Sequence, residues 1–65
     1  MTRNIDGDLI RRLRTEASLS QEDLAGLAGI SARTLQRLEA ESSGSASSLR
    51  AVAAALDVNI HNIST

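Results

Sequence analysis

A chain of 65 residues with an apolar fraction of 42%, and with no cysteine, aromatic residue or proline, holds one small domain at most. The lack of cysteine excludes disulfides, and a single histidine without cysteine partners excludes a structural zinc site. Seven basic and eight acidic residues give a formal net charge of −1, so a nucleic-acid partner would require positive charge concentrated on one face.

The apolar residues are mainly alanine and leucine, which favour helices, and their spacing is helical along almost the whole chain. We predict an all-α fold, a compact bundle of about five short helices, in a single domain over residues 1–65. No apolar run reaches the length of a membrane span, and the N-terminus lacks the apolar region of a signal peptide. The expected location is therefore cytoplasmic.

The first predicted helix covers residues 8–17, where arginines fall between the apolar residues. Asp6 or Asp8 suits its N-terminus, because a carboxylate there meets the positive end of the helix dipole. The apolar stripe that would face the core is Leu9, Ile10, Leu13 and Ala17.

Two short helices joined by a tight turn follow, over residues 21–28 and 32–39. Gly29 supplies the positive φ that the turn requires. Ala25 is small, as two closely crossing backbones demand. Two helices in this arrangement form a helix-turn-helix.

A fourth helix is predicted over residues 46–56 and a final turn over residues 60–63, after a polar loop at 41–45. Several predicted starts coincide with residues that cap helices. These are Ser20 with Asp23 as a capping box, Ser31, Ser45 and Asn59.

The middle of the chain resembles the XRE family, the helix-turn-helix type of phage repressors and Cro proteins. Residues 19–25 read LSQEDLA, and Gly29, Ile30 and the pair Leu38-Glu39 also match the family pattern. The similarity extends over residues 9–63. It implies a lambda-repressor-like fold and a sequence-specific DNA-binding transcriptional regulator, in particular a repressor at the bacterial or phage nucleoid. The third helix would then read the major groove of double-stranded DNA.

The resemblance also implies roles for individual residues. Arginine at a base-reading position suits guanine, because its fork spans the O6 and N7 acceptors. The base-reading positions are Ala32, Arg33, Thr34, Gln36 and Arg37. The phosphate-binding positions are Gln21, Arg11, Ser42 and Ser43.

Four further positions are structural in the family. Arg14 and Glu39 would pair and join the first helix to the recognition helix, while Ala25 and Gly29 would shape the helix-turn-helix. For the residues expected to contact DNA, alternatives without any DNA contact stay open. Gln21 and Arg11 could be solvated, and Arg37 could pair with Glu41.

The chain departs from the family pattern after the third helix. Residues 40–44 offer an acid and no cation where the family commonly has basic residues that grip phosphates. Few phosphate contacts imply a shallow salt dependence, with a log–log slope of roughly −3 to −5. Alternatives are therefore a protein-interaction module of the same fold or an antitoxin-type DNA-binding component that acts with a partner protein. Residues 9–37 carry five arginines against three acids, which favours DNA.

The expected partners are double-stranded DNA and a second copy of the chain on a palindromic site. The resemblance places the dimer contact at Val58, Asn59 and Ile60, although these residues could equally belong to the core. No enzymatic activity, cofactor, metal or small-molecule ligand is expected, because His61 is far in sequence from the serines and the pattern predicts no strand.

Overall fold

The computed structural model describes residues 5–64, so both ends of the domain predicted over residues 1–65 lie outside the described range. Its elements are helices α1 (Gly7–Glu16), α2 (Gln21–Ala28), α3 (Ala32–Glu41) and α4 (Ala46–Ala55), and a 3₁₀-helix (Ile60–Asn62). The β-structure within residues 5–64 is one isolated bridge between Ile5 and Ser64. The predicted all-α fold is confirmed. No helix in this range has the length and apolar character to cross a membrane.

Each α-helix begins at a side chain that caps its N-terminus, which is why the four starts are well defined. The capping oxygen accepts a hydrogen bond of 3.0–3.1 Å from the backbone N–H three residues later. At α2 the cap is a full capping box, because the Asp23 carboxylate also accepts from the Ser20 N–H at 3.0 Å. The caps are Asp6, Ser20, Ser31 and Ser45.

The capping box of α2 also makes this helix start sensitive to acid. Hydrogen bonds from the backbone and the side chain of Ser20 lower the pKa of the Asp23 carboxyl below its ordinary value. A group with a lowered folded-state pKa stabilises the fold above its unfolded-state pKa. That contribution is lost as the pH falls through the folded-state pKa, so the start of α2 weakens in acid.

Several helix boundaries differ from the predicted ones by one or two residues. Helix α1 begins at Gly7 because Asp6 is its cap. Helix α3 continues to Glu41 and ends where Ser42 adopts a left-handed conformation, with φ 50°. Helices α1 and α4 end one residue earlier than predicted, and the last predicted turn is a 3₁₀-helix of three residues.

The predicted apolar residues meet in one core, except that Ala17 was wrongly placed there: it directly follows the end of α1 and is exposed. Helix α1 packs against α3, helix α2 packs against α3 and α4, and the 3₁₀-helix packs against α4. Burial of aliphatic side chains is the main stabilising contribution, since the sequence has no aromatic residue, disulfide or zinc ligand set. The largest fully buried side chains are Ile10, Leu24, Leu35, Leu38, Leu49, Val52 and Ile63.

Gly7 marks the point where the N-terminus of α1 approaches the backbone of α3. A Cβ atom built on Gly7 would lie 2.5 Å from the carbonyl oxygens of both Leu38 and Glu39. Both oxygens belong to the backbone of a packed helix, so no side-chain rotation makes room for a methyl group. The contact therefore requires glycine.

Replacing Gly7 with alanine is expected to lower the free energy of unfolding by about 1–3 kcal/mol, because the added methyl group forces α1 away from α3. The matched control is Gly26→Ala in α2, where a Cβ would meet no atom of residues 5–64 within 4 Å. This control should raise stability by about 0.5–1 kcal/mol, since alanine favours a helix over glycine. Urea denaturation followed by circular dichroism measures both, and a Gly7→Ala variant as stable as the control would contradict the close contact.

Candidate nucleic-acid interface

Helices α2 and α3 are joined by a turn of three residues, Gly29, Ile30 and Ser31. Gly29 ends α2 in a left-handed conformation with φ 72°, and the Ile30 N–H donates to the carbonyl of Ala25 at 3.0 Å. Within the described part of the chain, a Cβ on Gly29 would meet nothing within 4 Å, so the backbone conformation and not the available space favours glycine here. Ala25 itself is buried in the core.

The first two turns of α3 place their polar side chains outward. Arg33, Gln36 and Arg37 are exposed, whereas Ala32 and Thr34 are half-buried. The five predicted base-reading residues thus differ in accessibility. The three long side chains are the ones free to reach into a groove.

Thr34 is fixed by the N-terminal cap of α3. The Ser31 hydroxyl accepts a hydrogen bond from the Thr34 N–H at 3.1 Å and donates one to the Thr34 hydroxyl oxygen at 2.9 Å. The Thr34 hydroxyl still has its own hydrogen to donate. Any contact from Thr34 to a ligand would therefore come from a side chain that is already oriented.

Three shallow depressions lie side by side along α3. The first is lined by Arg11, Arg14, Gln21, Glu39 and Ala40. The second is lined by Gln21, Arg33, Gln36, Arg37, Ala40 and Glu41. The third is lined by Thr34, Arg37, Ser43, Gly44, Ser45 and Ser48. Neighbouring depressions share residues, so together they form one continuous surface from α1 across α3 to the start of α4, here called the α3 face.

The structure brings most of the residues predicted to contact DNA onto the α3 face, but Ala32 and Ser42 lie outside its three depressions. The Ser42 hydroxyl accepts a hydrogen bond from the Gly7 N–H at 3.4 Å. This bond ties the end of α3 to the start of α1. A phosphate contact from Ser42 would have to share that oxygen with a structural hydrogen bond.

A buried ion pair holds α1 against α3. The Arg14 Nε donates to Glu39 Oε2 at 2.7 Å, and Nη2 donates to Oε1 at 3.1 Å. The side chains of Arg14 and Glu39 are only 12% and 4% exposed. The Arg14 Nη1 also donates to the carbonyl of Leu19 at 2.9 Å, so one guanidinium joins α1, α3 and the segment before α2.

Gln21 belongs to the same cluster. Its Nε2 donates to Glu39 Oε1 at 3.2 Å. A side-chain amide carries two N–H groups, so this bond leaves one N–H for a ligand. The family resemblance implied a phosphate contact for Gln21 and an ion pair for Glu39, as two separate roles. The bond between them depends on how α2 crosses α3, which the spacing of residues does not reveal.

Arg37 has a much looser partner. Its Nε lies 3.9 Å from Glu41 Oε1, and the two side chains are 57% and 63% exposed. That separation is too long for a hydrogen bond, and exposed ion pairs contribute little to stability. Arg37 is therefore able to leave Glu41 for a stronger acceptor.

The charges of the α3 face are unevenly matched. The positive charge of Arg14 is balanced by Glu39, whereas Arg11 and Arg33 are exposed and Arg37 is only loosely paired. Exposed guanidinium groups beside serine hydroxyls and the N-terminus of α2 suit an anionic, phosphate-lined partner. Among the described residues, no group of three acidic or histidine side chains could hold a metal ion.

The start of α4 also belongs to the α3 face, and the sequence analysis did not predict this. Ser45 and Ser48 line the third depression beside Arg37, and their hydroxyls are hydrogen-bonded to each other at 3.0 Å. Ser45 was expected only to cap α4. The signal available in the sequence was that this cap directly follows the loop after α3.

Comparisons with known proteins identify similar chains. The family model described as helix-turn-helix matches residues 10–62. The N-terminal DNA-binding domain of SinR from Bacillus subtilis is 33% identical with a TM-score of 0.80, covering 86% of this chain and 84% of that one. The restriction-modification controller protein C.AhdI from Aeromonas hydrophila is 34% identical with a TM-score of 0.78, covering 85% of each chain.

A third solved structure contains DNA. It is the crystal structure of SinR, the master regulator for biofilm formation, in complex with DNA, and its protein chain is 32% identical in sequence to this one. Its TM-score is 0.79, and the match covers 88% of this chain and 94% of that one. A search of the curated proteins finds no match.

Proposed function

Because the chain belongs to the XRE family of helix-turn-helix proteins, we propose that it regulates transcription by inserting α3 into the major groove of double-stranded DNA. It is a DNA-binding transcriptional regulator. The observation that carries the proposal is the continuous α3 face, on which exposed Arg33, Gln36 and Arg37 lie between two polar flanks. The family and its solved neighbours are regulatory and not enzymatic.

The proposed contacts follow from this arrangement. Helix α3 carries Arg33 and Arg37 to the base edges, where each guanidinium fork fits the O6 and N7 of guanine. Gln21 uses its remaining N–H on a phosphate, assisted by the first-turn N–H groups of α2. Arg11 and Ser43 meet phosphates on either side. The half-site therefore contains guanine.

Replacing Arg33 with alanine is expected to weaken binding to the preferred site by about 1–3 kcal/mol, and to weaken binding to scrambled DNA much less. The preferred site comes from selection of bound duplexes out of a random pool. Arg50→Ala is the matched control, because Arg50 is an exposed arginine on α4 outside the three depressions. If Arg33→Ala weakens both DNAs equally, Arg33 contacts phosphate and does not read bases.

Binding to random-sequence DNA should depend only moderately on salt. The α3 face has few exposed cations, so we expect three to five phosphate contacts and a slope of log K against log salt concentration of roughly −3 to −5. Fluorescence anisotropy with a labelled duplex over a salt series measures the slope. Absence of binding at low salt would refute the DNA function and favour a protein-interaction module.

Repression is the regulatory direction proposed. A small domain that occupies a promoter blocks polymerase by exclusion and needs no further surface to do so. The test places the selected site across a promoter that drives a reporter gene. Expression should fall when the protein is present and recover with the Arg33→Ala variant, whereas increased expression would identify an activator.

A homodimer on a palindromic site is also proposed, through the segment of Val58, Asn59 and Ile60. Val58 and Ile60 are half-buried and pack against the core, and exposed Asn59 caps the 3₁₀-helix by accepting from the His61 N–H at 2.9 Å. A two-fold contact here would set two α3 helices about 34 Å apart, one turn of DNA. Selected sites without inverted half-sites would contradict the dimer.

The expected location is the cytoplasm, where the DNA of a bacterium lies.

A further inference from the structure

Glu41 occupies an unusual place for an acid. It is the last residue of α3 and lines the same depression as Arg33, Gln36 and Arg37, the surface proposed to face DNA. Glu39 is buried and accepts hydrogen bonds from Arg14 and Gln21, whereas the Glu41 side chain is 63% exposed. Among the residues that the structure describes, its nearest cation is the Arg37 guanidinium, whose Nε lies 3.9 Å from Oε1.

We propose that Glu41 is a specificity-determining residue that weakens binding to non-cognate DNA by neutralising Arg37. The proposal rests on the DNA-binding function argued above. A carboxylate in this position contributes no attraction to a phosphate backbone. Its effect on binding depends on which groups of the DNA Arg37 contacts.

On non-cognate DNA, the attraction is almost entirely that of cations for phosphates. Arg37 gains little there, because a phosphate merely replaces the carboxylate that already neutralises it, and Glu41 itself is repelled. On the cognate site, guanine offers Arg37 two acceptors in a fixed geometry. Arg37 can use both acceptors without leaving Glu41, because its contact with Glu41 is through Nε and the two Nη groups remain for guanine. The carboxylate therefore disfavours non-cognate complexes more than cognate ones.

The test is the variant Glu41→Gln, which keeps the size of the side chain and removes its charge. Affinity for a random-sequence duplex should rise by about two- to fivefold. Its salt slope should become steeper by about 0.9, the value for one additional phosphate contact. Affinity for the duplex selected by the wild-type protein should rise by less than about twofold, so the ratio of the two affinities falls.

Two controls separate this role from simpler ones. Glu16→Gln removes the same charge from the exposed end of α1, outside the three depressions, and should leave both affinities unchanged. Thermal melting of both variants should match the wild type, since a structural role would alter Tm. In an Arg37→Gln background, Glu41→Gln should have a much smaller effect on the random duplex, because its action passes through Arg37.

Three results would overturn the proposal. An equal rise in both backgrounds would mean that Glu41 repels DNA directly. A fall in affinity for the selected duplex would mean that Glu41 accepts from a cytosine amino group. Unchanged affinities would remove any role. If instead the wild-type protein binds neither duplex, the DNA-binding function itself fails, and the Glu41 proposal fails with it.

Discussion

Replacing Leu38 with alanine is expected to lower the free energy of unfolding by about 2–5 kcal/mol. Leu38 is fully buried on α3, and its Cδ2 lies 2.5 Å from the position of a Cβ built on Gly44, so it also supports the loop after α3. A chain of 65 residues has a total stability of only about 3–10 kcal/mol. A cavity here therefore consumes much or all of it, and urea denaturation should show a partly or fully unfolded variant.

Two companion variants keep this expectation testable even if Leu38→Ala does not fold. Leu27→Ala removes the same atoms from a leucine that is 64% exposed, and should change stability by less than about 0.5 kcal/mol. Leu38→Met nearly conserves volume and should cost less than about 1.5 kcal/mol. Equal losses for Leu38→Ala and Leu27→Ala would mean that the core does not depend on the α3 contact.

Local patterns in the sequence were sufficient for the secondary structure. A capping residue acts through hydrogen bonds within four residues, so Ser20, Ser31 and Ser45 reveal their helix starts without knowledge of the fold. The apolar spacing likewise indicates most of the buried residues of each helix, but Leu27, which the spacing places on the apolar face of α2, is exposed. The differences at the helix ends have the same local origin. Because Asp6 is the cap, α1 begins one residue earlier than predicted.

The sequence predicted the left-handed conformation of Gly29 but not that of the other left-handed residues. Ser18, Ser42 and Asp57 have φ values of 61°, 50° and 58°, although serine and aspartate do not favour this region as glycine does. Each follows closely after the end of a helix, where the chain must reverse to continue the packing. The required direction is set by the neighbouring helices, so the residue type alone does not indicate it.

The candidate site likewise contains some features that could be predicted from the sequence and others that depend on the packing of the helices. The positions on α3 followed from the family resemblance, because they depend on one helix and its register. The continuity of the α3 face depends on the packing of α1 and α4 beside α3, and neither the Gln21–Glu39 bond nor the place of Ser48 could be read from spacing. Gly7 was missed for the same reason, because its importance arises from a contact with Leu38 and Glu39, which lie more than 30 residues away in the chain.

The Arg14–Glu39 pair should show the other large effect. The Glu39 side chain is only 4% exposed, and Arg14→Ala removes its main partner. This change is expected to lower the free energy of unfolding by about 3–5 kcal/mol. In the same way, Glu39→Ala removes the carboxylate from the Arg14 guanidinium, whose remaining acceptor among the described residues is the Leu19 carbonyl. A double-mutant cycle by urea denaturation should give a coupling of about 1–3 kcal/mol, and zero coupling would remove the structural role of the pair.

The pair can also be replaced in a way that separates folding from binding. Arg14→Met with Glu39→Leu conserves the net charge and fills the space with apolar atoms, so the free energy of unfolding should change little or even increase. Gln21 then loses the carboxylate that holds its amide, and a phosphate contact from a freely rotating side chain has a larger entropic cost. DNA affinity should therefore fall although the fold is intact. If the doubly substituted protein binds DNA as tightly as the wild type, the cluster serves stability alone and Gln21 does not depend on it.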